Sequence, residues 1–128
     1  MDAYAVQHAT ILKDLEALVD GYSLDRAIML FHAPPNDTAL DRVANDGKLV
    51  EHVPLDVHVG SIAIRRIIEE HHPLITLHGH IHESARLTGR WRDMLGRTYM
   101  FSAAHDGPEL ALVSFDVSSP QDAVRELI

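Results

Sequence analysis

A chain of 128 residues, 46% hydrophobic and 23% charged, is long enough to bury a core and lies outside the composition range of disorder, so residues 1–128 are expected to form one domain. Eleven basic against nineteen acidic residues give a net charge of -8 with His neutral, and no Lys/Arg cluster marks a nucleic-acid footprint. The absence of cysteine excludes a disulfide framework, a thiolate metal site and a Cys nucleophile, so any metal must be held by His, Asp, Glu or Asn.

In residues 4–19, Ile11, Leu12, Leu15, Leu18 and Val19 recur at three- and four-residue steps with Gly21 beyond as a stop, which predicts an amphipathic packing helix. No segment is apolar for long enough to span a bilayer, and the expected location is the cytoplasm. The run Ala27-Ile28-Met29-Leu30-Phe31 is too short for a helix and reads as a strand buried on both faces. It ends in His32, and Pro34-Pro35 then fixes a rigid loop. Residues 36–58 are irregular, with turn signals at Asn36-Asp37 and Asn45-Asp46-Gly47 and an extended stretch near residues 49–55. Ser61 is a candidate N-cap for a helix whose stripe is Ile64, Ile67 and Ile68 and which Pro73 stops. His71-His72 falls on its last turn, where adjacent side chains diverge by about 100° and suit the helix dipole better than a shared metal.

Leu74-Ile75-Thr76-Leu77 predicts a short buried strand that delivers His78-Gly79-His80-Ile81-His82-Glu83-Ser84. Neutral imidazole is the commonest transition-metal ligand, and Gly79 frees the backbone so that His80 and His82 need not follow strand alternation. Further on, Leu95-Gly96-Arg97 reads as a turn between extended segments, and residues 98–101 and 110–117 as strands. Ser119-Pro120-Gln121-Asp122 has capping spacing and predicts a short terminal helix. The fold class expected from this order is α/β, with helices against a mixed sheet.

Phe31-His32-Ala33-Pro34-Pro35, Asp41, Val59-Gly60-Ser61, an Ile-rich helix and Gly79-His80-Ile81-His82-Glu83-Ser84, in that order, resemble the C-terminal half of the calcineurin-like metallophosphoesterases. The resemblance runs from about Leu12 to Val117. It implies half of an αββα sandwich and two-metal phosphoester hydrolysis with divalent Mn, Fe or Zn. It further implies His32 and His80 as ligands of one metal, His82 as a ligand of the other, and the Asp37, Thr38 and Asp41 loop at the rim.

The family's earlier motifs, an Asp-x-His, a Gly-Asp-x-x-Asp and a Gly-Asn-His-Asp or -Glu, supply the remaining ligands and the His beside the leaving group. None stands ahead of His32, where the only Asp residues are Asp2, Asp14, Asp20 and Asp25. The sequence therefore reads as a half-enzyme, since a catalytic metal needs about three protein ligands and an open position. Three functions follow: a phosphoester hydrolase completed by an N-terminal partner half; a non-catalytic module binding one divalent metal, with Glu83 or Asp106 as added ligand; or an inactive remnant. His105 in the loop 103–108 reads as solvated. A metallo-β-lactamase pattern needs an Asp where His82 stands, and no Gly-x-Ser-x-Gly elbow supports a Ser hydrolase. A sheet lacking half its strands exposes apolar surface, so a homo-oligomer or a partner half is expected.

Overall fold

The computed structural model describes residues 3–44, 49–50, 53–54 and 57–128. The chain is mixed α/β. Its elements are α1 (Ala3–Val19), β1 (Ile28–Leu30), β2 (Arg42–Val43), β3 (Leu49–Val50), β4 (Val53–Pro54), β5 (Val57–His58), α2 (Ile62–His71), β6 (Ile75–His78), α3 (Ser84–Thr88), β7 (Arg92–Leu95), β8 (Thr98–Ser102), β9 (Ala111–Ser114) and β10 (Val124–Leu127). A four-stranded sheet in the order β1-β6-β8-β7 is parallel through its first three strands and closes with the antiparallel β7–β8 hairpin around Gly96.

The register separates the two faces of this sheet. Met29, Thr76 and Met100 are aligned on one face, where Met100 joins Leu40, Ile64 and Ile68 under the helices, with Leu15 and Phe31 packed against them. Leu30, Leu77 and Phe101 are aligned on the other, where Ile75, Phe101 and Ala123 meet Val113 and Phe115 of a second, two-stranded layer formed by β9 and β10. Full burial of Ile67, Ile68 and Ile75 stabilises the fold by about 1.5–3 kcal/mol for each side chain.

Helix α2 forms as its sequence requires. The Ser61 hydroxyl accepts the Ile64 N–H at 3.1 Å, and the helix ends at His72, whose N–H makes the last helical bond, to the Ile68 carbonyl, and whose left-handed φ of 48° turns the chain away before Pro73. In α1 only part of the apolar repeat is used. Val19 is buried and Leu12 and Leu15 half-buried, while Ile11 and Leu18 face outward.

Four expectations change. The strand around residues 28–30 is not buried on both faces, because it terminates the sheet and leaves Ile28 39% and Leu30 76% exposed. Ser119 makes no side-chain cap, so the terminal helix is a single 3₁₀ turn at Pro120–Asp122. The chain then extends as β10, which pairs antiparallel with β9 from Val124↔Ser114 to Leu127↔Ala111. A short helix, α3, follows the histidine loop, with Gly89 ending it at φ 72°. The turn signal at Asn45-Asp46-Gly47 lies outside the described residues, and of the stretch around 49–55 only β3 and β4 are described.

The loop after β1 is held by one carboxylate. Asp41 is fully buried, and it accepts the N–H groups of Asp37 (2.9 Å), Thr38 (3.0 Å) and Gly60 (3.0 Å) as well as the His58 ring Nδ1 at 2.6 Å. Gly60 is pressed against this loop. A Cβ there would stand 2.6 Å from the Pro35 carbonyl oxygen and 2.7 Å from that of Pro34. Asp41→Ala strands three N–H groups and lowers the unfolding free energy by about 3 kcal/mol. Gly60→Ala forces backbone apart and is expected to cost a similar amount, about 3 kcal/mol. Urea unfolding followed by circular dichroism measures both, and an Asp41→Ala loss below about 1 kcal/mol removes the carboxylate from this role.

Candidate metal centre

Parallel strands β1 and β6 end side by side, and their ends carry the histidines. Phe31 N–H donates to the Leu77 carbonyl at 2.9 Å, and Gly79 N–H to the His32 carbonyl at 3.2 Å, so the ladder continues one step past each strand. His32 and His80 leave it as exposed side chains whose ring centroids are 4.4 Å apart with planes tilted by 44°.

The turn between them is made by His80. Its φ is 70°, whereas Gly79 is not among the positive-φ residues. A Cβ on Gly79 would meet only the His32 carbonyl, at an ordinary 3.8 Å. The freedom expected of Gly79 is thus not what turns the chain. A left-handed non-Gly residue costs of order 1 kcal/mol and concentrates at functional sites.

His78 is no ligand. It belongs to β6, is buried, and presents one ring nitrogen to the Ala33 carbonyl at 3.0 Å and the other to the Thr76 hydroxyl at 2.6 Å. A carbonyl only accepts, so Nδ1 carries the proton and Nε2 accepts from Thr76. The ring stacks on Phe31 at 5.6 Å with planes 7° apart. Burial lowers the His78 pKa to about 4, partly offset by the bond to Ala33, so the imidazole is neutral at pH 7.

Of the three sequence-predicted ligands, the structure brings His32 and His80 together. His82 is exposed two residues on, and among the described residues no ring contact or hydrogen bond joins it to either imidazole. Nor, among the described residues, do any three His, Cys, Asp or Glu side chains converge as a metal-holding group. Glu83 accepts the Ala44 N–H at 3.1 Å, and Asp106 is engaged by Arg86 at 2.6 Å, which holds its carboxyl below the usual range. His105 is half-buried and bonded to Glu109 at 2.7 Å in an exposed contact.

Sequence reasoning missed the Asp41–His58 pair. Asp41 sits beneath the expected rim loop as its anchor, while Asp37 is exposed with a side-chain oxygen 3.5 Å from His58 Nε2. An Asp-x-His tripeptide does exist after His32, as Asp56-Val57-His58; Asp56 lies outside the described residues, and His58 is committed to Asp41.

The two imidazoles fit half of a ligand set. Metal–nitrogen bonds of about 2.0–2.1 Å keep two rings that share one cation within about 6 Å of each other, and 4.4 Å falls inside that limit. No family model, curated protein or solved structure matches the chain. Among the described residues, no helix is long and apolar enough to cross a membrane.

Because the folded-state pKa of His78 lies below its unfolded value, its contribution is complete above pH 6.5 and is lost as pH falls toward 4. The linkage amounts to about 3 kcal/mol. Urea titrations of wild type and His78→Gln between pH 7 and pH 4 are expected to show the wild type losing more stability by that amount. Parallel losses in the two proteins would show that His78 is not buried neutral.

Proposed function

We propose that the chain is half of a metal-dependent phosphoester hydrolase, in which His32 and His80 bind one divalent transition metal, Mn, Fe or Zn, and His82 faces a second. The observation that carries the reading is the pairing of two exposed imidazoles, 4.4 Å apart, at the adjoining carboxyl ends of parallel strands, with His80 held left-handed. Ends of parallel strands are where α/β sheets gather ligands. The order of the sequence pieces, His-x-Pro-Pro before Gly-His-x-His with a helix between, supports the phosphoesterase assignment over other two-histidine sites. In this reading the sheet with helices on one face and β9–β10 on the other is half of an αββα sandwich.

A divalent cation so held polarises a phosphoryl oxygen of a phosphomonoester or phosphodiester. The chain's own residues fix the donors. The ladder bond from Gly79 to His32 sets the spacing of the two loops, and neutral His78 ties the strand that carries His80 to the carbonyl following His32. Carboxylates are needed to complete the set, and none of the described residues brings one to the pair. Turnover therefore depends on a partner segment, and the isolated chain acts as a metal-binding half-site.

Calorimetric titration of the apo chain with Zn²⁺ and Mn²⁺ tests this without reference to activity. His32→Ala and His80→Ala are each expected to weaken binding at least about 10-fold, as losing one of few ligands does. His82→Ala changes it little in the isolated chain. Equal binding by wild type and the His32→Ala/His80→Ala double variant would overturn the assignment.

A further inference from the structure

Both layers of the fold stop on the same side. In the four-stranded sheet β1 is terminal, and among the described residues nothing pairs with its outer edge. In the second layer β10 lies toward β7, because the Arg92 guanidinium on β7 donates to the carbonyls of Gln121 (3.0 Å) and Ala123 (3.2 Å) just ahead of β10. β9 accordingly lies over β6 and β8, where Val113 and Phe115 pack with Leu77 and Phe101. A cavity of about 230 Å³ bordered by Leu77, Phe101, Leu112 and Phe115 lies between those layers. The outer edge of β9, also unpaired among the described residues, thus faces the β1 side.

Sheet edges that stay solitary are usually very short or carry Lys, Pro, a bulge or an inward charge. β1 is short, at three residues, but it carries none of the others: residues 27–31 are Ala27-Ile28-Met29-Leu30-Phe31, uncharged in a chain of net charge -8. Its two exposed side chains, Ile28 and Leu30, lie on one face.

The geometry points to a second copy of this chain as the occupant of that edge: β1 pairs antiparallel with β1 of another protomer about a two-fold axis through Met29, joining the two four-stranded sheets into one. Residues directly opposite in an antiparallel pair share a face, so a two-fold perpendicular to the sheet must pass through a residue position and not between two. Met29 is the middle of a three-residue strand. An axis there uses the whole strand and sets Ile28 of each copy against Leu30 of the other, covering the exposed apolar pair with itself. The same axis keeps each layer at its own height, so the β9 edges of the two copies face one another. A foreign strand would have to match two edges and the spacing between them, whereas a second copy matches both by symmetry. The strand pairing does not rest on the phosphoester reading.

Sedimentation equilibrium of the whole chain in EDTA is expected to give about twice the 14.3 kDa chain mass. Leu30→Lys, at an exposed position that leaves the fold intact by circular dichroism, is expected to weaken the dimer at least about 100-fold. The chain has no native cysteine, so single thiols report the register. Met29→Cys meets its own copy and cross-links on mild oxidation. Ile28→Cys alone does not, because its copies stand beyond the roughly 7 Å Cα reach of a disulfide. Mixed Ile28→Cys and Leu30→Cys chains cross-link to each other, as directly opposed positions. A monomer at all concentrations, or a dimer in which Met29→Cys stays unlinked, overturns the proposal. Zinc titration of the Leu30→Lys monomer separates the two readings: retained binding through His32 and His80 leaves the metal assignment standing whatever becomes of the dimer.

Discussion

The Ala33 carbonyl accepts the Nδ1–H of His78 at 3.0 Å, and through that bond the loop after β1 is tied to the last residue of β6. His32 immediately precedes the acceptor, and His80 stands two residues beyond the donor. The distance between the candidate ligands is therefore set jointly by this neighbouring contact and by the ladder bond from Gly79 N–H to the His32 carbonyl. Burial keeps the ring uncharged, against the bond to Ala33, which by itself favours the protonated form. Phe31 stacks on the same ring, so the residue before His32 and the one before Gly79 are locked together as well.

Much of this was legible in the sequence, for reasons that differ by element. The α2 stripe of Ile64, Ile67 and Ile68 was readable because a helix covering a sheet must repeat its apolar side chains at helical spacing, and Ser61 and Pro73 punctuate its ends. The approach of His32 to His80 was readable because both close short apolar strands. The Asp41 anchor was not. An Asp among Asn36, Asp37 and Thr38 looks like one more loop residue, and only the fold delivers the Gly60 N–H and His58 to it from about twenty positions away. β10 was hidden in the same way: Val124-Arg125-Glu126-Leu127 has no strand alternation of its own and is extended because β9 offers a ladder. The exposure of β1 escaped notice because a continuous apolar run reads alike whether strands flank it on both sides or on one.

Gly79 and His80 show how the backbone of a motif can differ from what its residue pattern suggests. The pattern Gly-His suggests that Gly bends and His follows, yet the bend lies in His80. Replacing His80 by Gly would ease the backbone, so an imidazole at that position persists against local conformational preference. His72, the other left-handed histidine, has an evident structural reason as the terminator of α2. His80 caps no helix, and its ring faces His32 instead. The left-handed His80 closes a tight turn in which the Ile81 N–H donates to the Gly79 carbonyl at 2.8 Å.

Charge distribution bears on where a second chain can approach this fold. At a net charge of -8 two copies of the chain repel at long range, and screening confines that repulsion to about 8 Å at physiological ionic strength. Contact is then favoured only where a surface is uncharged and has unmet backbone groups. Residues 27–31 meet both conditions, and they run directly into His32. The unpaired edge and the candidate ligands are consecutive in the chain, so whatever pairs with β1 arrives beside the two imidazoles. The unpaired edge and the candidate site are adjacent in this fold, because only Phe31, whose own N–H is already spent on Leu77, separates Leu30 from His32.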